Sequence, residues 1–298
     1  MCSCLVCIVD CELLKSRSKI LNLKIQFVEI EDLKFAQKNK LGTIQFIQSA
    51  NCKELSPGSL NPKNAKYILD NLNFGITECL KNKKIGLVTG PIQKSNIIEG
   101  GFKTFQGHTE WIQKRTKSKN VVMLLSAKNI KVALATTHIP LTEVAKNIRK
   151  AKLVETIQTL HSGLKTKFKI KHPSITVLGL NPHAGENGKI GTEEIKKINP
   201  AVKVCRDMGI NASYAISADT AFTAKKLKQT DVYLAMYHDQ ALPVLKALSF
   251  GEAVNITLGT GIVRTSVDHG TALDIAGKMK PNLGSIKEAI KAAEVQLK

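Results

Sequence analysis

Short apolar runs rich in β-branched residues recur from residue 84 onward and end in Gly, Pro, His or Asp. They read KIGLVTGP (84–91), VVMLLSA (121–127), VALATTH (132–138), SITVLGLNP (174–182), VYLAMYHD (232–239) and AVNITLG (253–259). Runs this short, with little alternation, are the pattern of strands buried on both faces, and they predict a largely parallel sheet. Residues 5–9 predict a further buried strand. Between the runs lie amphipathic stretches at helical spacing. One covers 141–165, with Thr142 as its expected N-cap. A second covers 192–209, with an expected break at Pro200 and a stop at Gly209. A third covers 285–298, with Ser285 as cap. Alternation of strands and helices predicts an α/β protein with helices covering a sheet. No internal repeat or low-complexity linker interrupts it.

A chain of 298 residues, 43% of them hydrophobic, can bury one large α/β core or two smaller ones sharing a cleft. No apolar run approaches a membrane span. The amino-terminal apolar run has no basic residues before it, so a signal peptide is not expected and a cytoplasmic location is. Net charge is +20, from 44 Lys and Arg against 24 Asp and Glu. The lysines are spread along the chain, and aromatic residues make up only 5%, which leaves few platforms for stacking bases. A nucleic-acid partner is therefore not expected, whereas anionic small molecules such as phosphate esters suit the charge. Seven cysteines, four of them at Cys2, Cys4, Cys7 and Cys11, form no complete zinc module and read as reduced thiols.

In open α/β sheets, ligands sit beyond the carboxyl ends of the strands. Three of the five clearest strand ends carry a histidine: His138, His183 and His238. Imidazole is a common ligand for divalent metals, and three protein ligands with an open position mark a catalytic site. The alternative is three separately satisfied histidines. Asp239 and Asp219 could orient such ligands or carry protons; otherwise they are helix caps. His108, in FQGHTEWI, suits an anion or substrate contact. His161 and His172 lie in lysine-rich segments and are expected to be solvated.

The phrases VTGPIQKSNIIEGGFKTFQGHTEWI, ATTHIPL, GLNPHAGENGKIGTEEI, SADTAF, MYHDQALPVLK and NITLGTGIVRTSVDHGTALDIAGK resemble, in this order, the 4-hydroxythreonine-4-phosphate dehydrogenase family of pyridoxal phosphate biosynthesis. The resemblance spans about residues 5–298. It implies two α/β/α domains around a cleft, of the isocitrate/isopropylmalate dehydrogenase-like fold. One would comprise residues 1–100 and 245–298, the other 101–244. It implies a homodimer with an active site shared between chains, an NAD or NADP cofactor, and one divalent metal (zinc, cobalt or magnesium) held by His138, His183 and His238. It places substrate on His108, Thr109, Lys246, Asn255 and Arg264, with Lys246, Asp219 and Asp239 as catalytic groups. The implied reaction is oxidation and decarboxylation of 4-phosphooxy-L-threonine to 3-amino-2-oxopropyl phosphate. Paralogues acting on phosphorylated four-carbon sugar acids share the histidines and remain an alternative, as does a low-activity homologue that only binds metal or phosphate.

Three departures accompany the resemblance. Ala215-Ile216-Ser217 stands where the family usually has Gly-Pro before its ADT phrase. Thr260-Gly261 stands where relatives tend to have Leu-Pro. The Gly/Pro-rich turn with which relatives open a first helix has no counterpart here. The expectation is a chain that keeps its histidine site but is less active and less stable than relatives that have that unit.

Overall fold

The computed structural model describes residues 4–53, 56–249 and 251–298. Cys2 lies outside these. Its amino-terminal part is a parallel three-stranded sheet of β1 (Val6–Ile8), β2 (Gln26–Glu29) and β3 (Thr43–Ile47), in the order β1-β3-β2, with helix α1 (Cys11–Ile20) after β1. Helix α2 (Ala65–Lys81) leads to β4 (Gly86–Thr89), then to α3 (Lys94–Glu99) and α4 (His108–Thr116). Strands β5 (Val122–Ala127) and β6 (Ile130–Leu134) form a hairpin, followed by α5 (Leu141–Asn147) and α6 (Lys150–Lys167). Next come β7 (Ile175–Val177), α7 (Asn199–Asp207), α8 (Ala224–Gln229), β8 (Val232–Ala235) and α9 (His238–Leu248). Strands β9 (Val254–Leu258) and β10 (Val263–Val267) and helix α10 (Gly284–Leu297) close the chain.

The second sheet has seven strands in the order β4-β10-β9-β5-β6-β8-β7. The α/β expectation holds, but the sheet is mixed rather than mostly parallel. Pairs β10–β9, β9–β5 and β5–β6 are antiparallel, while β4–β10, β6–β8 and β8–β7 are parallel. The physical reason lies in the connections. Ala127 pairs with Ile130, so only two residues join β5 to β6, and Lys128 takes φ 49°. A loop that short makes a hairpin, since a parallel crossover needs a dozen residues or more. Likewise β9 and β10 are joined by 259–262. There Gly259 has φ +87°, and an added Cβ would lie 2.2 Å from the Asn120 carbonyl oxygen.

Both faces of this sheet are covered. On one, Leu124, Ile256 and Leu234 pack with Leu153, Leu160 and Leu164 of α6, Val202 of α7 and Ala289 of α10. On the other, Val132, Tyr233 and Leu125 pack with Leu242 and Leu245 of α9. A third cluster joins Leu69 and Ile76 of α2 to Ile97, Ile112 and Leu87.

Several local expectations need correction, among them the Ser285 cap, since α10 starts at Gly284 and Ser285 lies inside it with its hydroxyl donating to the Ala253 carbonyl at 3.0 Å. The helix over 141–165 is two helices. Ile148 and Arg149 are extended, and the break drops Ile148 into the core at 1% exposure. Thr142 is not the cap, because the first helix starts at Leu141 behind Pro140. The stretch 192–209 bends without stopping at Pro200. Residues Glu194–Ile198 make a π-turn in which Asn199 N donates to the Glu194 carbonyl, and this wider turn accommodates Pro200 as the chain continues into α7. The strand predicted at 5–9 forms, but half-exposed. His161 is half-buried, with its Nδ1 lacking a partner, while His172 is exposed as expected.

Candidate active site

Parallel strands β6 and β8 run side by side, and their extensions stay paired beyond the last residue of each strand. Ala135 N donates to Ala235 O at 2.8 Å, and the Thr136 hydroxyl donates to Met236 O at 2.6 Å. His138 and His238 therefore leave the sheet together. Their rings lie 5.7 Å apart between centroids, tilted by 45°. His238 opens α9, and its Nδ1 meets the Asp239 carboxylate at 2.6 Å, which leaves Nε2 free to bind a ligand. Gln240 braces this end of the sheet by accepting from Met236 N at 2.7 Å and donating to Gly179 O at 2.5 Å. His138 titrates below the ordinary histidine range. Desolvation is the main cause, followed by the positive charges of Lys94 and His238, against a smaller pull from Glu110. A neutral imidazole is the form a metal requires.

His183 follows β7 on an unusual backbone. His183, Ala184, Gly185, Glu186 and Asn187 all take left-handed φ, between 41° and 79°. Each non-glycine residue in that region costs on the order of 1 kcal/mol, so such a run persists only where its surroundings fix it. His183 is exposed, and its charge bears on Asp219. The Asp219 carboxyl is held below its usual range, first by the Ser217 hydroxyl at 2.5 Å. Among the described residues of one chain, no three His, Cys, Asp or Glu side chains converge to hold a metal. The fold brings His138 and His238 together, and His183 stands apart with Asp219.

A second cluster surrounds Arg264, which is 2% exposed. Its guanidinium donates to Thr257 Oγ1 at 3.0 Å and Thr89 Oγ1 at 2.8 Å, while its Nε–H has no partner. Burial lowers its pKa to about 10, with Glu110 pulling the other way. His108, at the start of α4, is pushed down to about 3 by burial and then by the Arg264 charge, so it stays neutral near pH 7. The Oδ1 of Asn255, on the strand next to Arg264, is also buried without a partner. A buried cation with an unmet N–H beside a neutral imidazole is a receptor for an anion. Thr109 and Glu110 border an adjoining cavity of about 270 Å³ that reaches to Thr137 and Lys152.

Lys246 lies two turns along α9 from His238, and its ammonium faces Asp268 Oδ2 at 3.4 Å. The sequence reading missed this partner, as it missed Lys94, Glu110 and Thr89. A Cβ placed on Gly107 would lie 3.0 Å from Glu110 Oε2 and 3.7 Å from Lys94 Nζ, so a side chain at 107 would crowd both. Both residues stand inside the matched phrases, at GPIQKSN and GHTE, which was the available signal.

The sequence profile described as "Pyridoxal phosphate biosynthetic protein PdxA" matches residues 1–293. The chain is 45% identical over 289 residues to the 4-hydroxythreonine-4-phosphate dehydrogenase of Enterobacter sp. (strain 638), covering 97% of this chain and 88% of that protein. It is 43% identical over 294 residues to the same enzyme of Pseudoalteromonas translucida, with 97% and 89% covered. Among solved structures, the 4-hydroxythreonine-4-phosphate dehydrogenase of Klebsiella pneumoniae superposes with TM-score 0.88 at 29% identity, over 98% of this chain and 88% of that one. The enzyme of Burkholderia phymatum gives 0.83 at 33% identity, over 97% and 87%.

Proposed function

The chain belongs to the PdxA family of pyridoxal phosphate biosynthesis, and from that premise we propose that it oxidises 4-phosphooxy-L-threonine with NAD or NADP and decarboxylates the product to 3-amino-2-oxopropyl phosphate. The observation that supports this most directly is the juxtaposition of two unlike receptors. An anion pocket around Arg264 and His108 adjoins a histidine pair at the sheet end, and the Glu110 charge reaches both.

Arg264 and neutral His108 take the substrate phosphate or carboxylate, and Thr109 and Asn255 complete its hydrogen bonds. Lys246, steadied by Asp268, supplies a second cation two turns along α9 from His238. The donor set of the histidine pair fits a divalent cation such as zinc or cobalt better than magnesium, because Asp239 fixes the ring of His238, His138 is held neutral and both donors are nitrogens. When bound by His138, His238 and His183, that cation supplies Lewis-acid polarisation of the substrate's 3-hydroxyl. NAD or NADP, when bound, would supply the acceptor for the hydride on C3. The hydroxyl proton leaves to a base, for which Lys246, Asp219 and Asp239 are the candidates. Loss of CO2 breaks the C1–C2 bond and leaves its electron pair on C2, which takes up a proton, so proton release and uptake cancel.

His183 joins the pair from a second copy of the chain in this reading, because within one chain it lies with Asp219 instead. The proposal is tested by mixing the protein with 4-phosphooxy-L-threonine, NAD+ or NADP+ and each metal, and following the absorbance of the reduced cofactor. Turnover of a phosphorylated threonate or erythronate in place of the amino acid would reassign the substrate. No reduction with any of them would overturn the activity.

A further inference from the structure

We infer that Glu194 is the positioning residue for His183, because its buried carboxylate locks the left-handed turn carrying the histidine onto the end of β7. The inference rests on His183 being a metal ligand, and goes further by naming what places it.

Glu194 is 2% exposed and pairs with no lysine or arginine among the described residues. Its charge is met by N–H groups instead. Oε1 accepts from Leu180 N at 2.7 Å and Asn181 N at 2.8 Å, and Oε2 accepts from Asn181 Nδ2 at 3.0 Å. Asn181 Nδ2 also donates to Glu193 Oε2 at 2.8 Å. The carbonyl of Asn181 accepts from Ala184 N at 3.1 Å, which closes the turn around His183. The residue gripped by Glu194 is thus the residue from which the left-handed run departs.

Two glycines make room for the carboxylate and a third makes room for the Asn181 amide that donates to it. An added Cβ would lie 3.1 Å from Glu194 Oε1 at Gly179, 2.6 Å from Oε2 at Gly185, and 2.2 Å from Asn181 Nδ2 at Gly191. Glu194 is itself fixed as the first residue of the π-turn, where its carbonyl accepts from Asn199 N. A π-turn, a buried carboxylate and a left-handed run that meet at one histidine are costly features, and they serve a single purpose if His183 must stand at a defined place. Outer groups that orient a ligand typically contribute 10- to 100-fold to metal affinity.

The test is cobalt(II) binding by calorimetry and visible absorption, with melting temperature read in parallel. Glu194→Gln keeps the shape, but its amide nitrogen faces that of Asn181. It should weaken cobalt(II) binding by about 10- to 100-fold, towards the value for His183→Ala, and alter the absorption band of the bound ion. The swap Asn181→Asp with Glu194→Gln, made together with Glu193→Gln so that no carboxylate faces the new aspartate at the second contact, restores both donor–acceptor pairs and should recover most of the affinity. Parent-like binding by Glu194→Gln, while His183→Ala loses the metal, overturns this inference alone. Parent-like binding by His183→Ala overturns the ligand reading, and this inference with it. A Glu194→Gln protein that fails to fold, and is not rescued by the swap, makes Glu194 a folding residue and also overturns the proposal.

Discussion

The guanidinium of Arg264 donates to the hydroxyl of Thr89 at 2.8 Å, tying β10 to the end of β4, and it reaches no carboxylate at hydrogen-bonding distance among the described residues. A buried charge without a counter-ion costs stability, and an anionic ligand offsets that cost. Arg264→Met should therefore separate function from stability. Loss of kcat/KM by about 30-fold or more is expected, since a charged hydrogen-bonded contact is removed. The melting temperature of the unliganded protein should hold or rise. Steady-state kinetics and calorimetry check the pair of outcomes. A fall in melting temperature with kinetics intact would make Arg264 a structural residue.

His108 gives a pH prediction. Its folded pKa, about 3, lies below the 6.5 of the unfolded chain. The unfolded state then takes up a proton that the folded state refuses. The stabilisation is complete above pH 6.5 and is lost as pH falls towards 3. Between pH 7 and 5.5 the linkage removes about 1 kcal/mol of stability. Urea unfolding at the two pH values should show that difference, reduced in His108→Gln. An equal pH slope in both proteins would show that His108 is not the group responsible.

The elements were legible where local pattern decides them. The runs ending at Thr89, Ala127 and Ala235 are strands, because β-branched apolar residues fill their cores. Pair direction was not legible, since it depends on a loop as short as Lys128–Asn129, whose lysine gives no hairpin signal. His138 and His238 were legible as strand-end histidines, and adjacent parallel strands do bring them together. His183 showed the same pattern but stands apart, because a left-handed turn follows β7, and its cause, Glu194, lies 11 positions further on. The matched phrases supplied Arg264 as a site residue. Its lack of a hydrogen-bonded carboxylate is a property of the folded packing and could not be read from the chain.

A shared site makes a quantitative prediction. If His183 and Lys246 of one site come from opposite chains, mixing His183→Ala with Lys246→Ala leaves one intact site in each mixed dimer. With random exchange half the dimers are mixed, so an equal mixture should recover about a quarter of parent activity, although each variant alone is inactive. Recovery is read by the cofactor assay after unfolding and joint refolding. No recovery, with mixed dimers verified by mass, would place both residues in the same chain's site.

The two sheets should differ in dynamics, and the difference follows from what each buries. All five residues of β10 are buried, and in β9 all but Asn255. By contrast β1 and β2 have no buried residue, nor has α1, and Leu5, Ile20, Leu23 and Val28 are each at least 36% exposed. Among the described residues β1 pairs only with β3, and β4 only with β10, so each presents an open edge beneath α2. There Ile8 and Leu87 both approach Gly75. In the small sheet only β3 buries apolar side chains, Phe46 and Ile47, and β1 is anchored by polar contacts. Asp10 is 5% exposed; its carboxylate accepts from Glu12 N at 2.8 Å and Cys52 N at 2.7 Å, and its own N–H donates to the Tyr67 hydroxyl of α2 at 3.0 Å. Opening β1 and β2 exposes little apolar surface, so its free energy is a fraction of the global value. Amides of β1 and β2 should exchange at least about 100-fold faster than those of β9 and β10. Tyr67→Phe removes the acceptor of a buried N–H, worth about 1 kcal/mol. It should speed exchange in β1 about fivefold further and leave β9 and β10 unchanged. Hydrogen exchange followed by mass spectrometry reads both effects. Equal protection in the two sheets, or a Tyr67→Phe effect spread evenly over the chain, would show that they open as one cooperative unit.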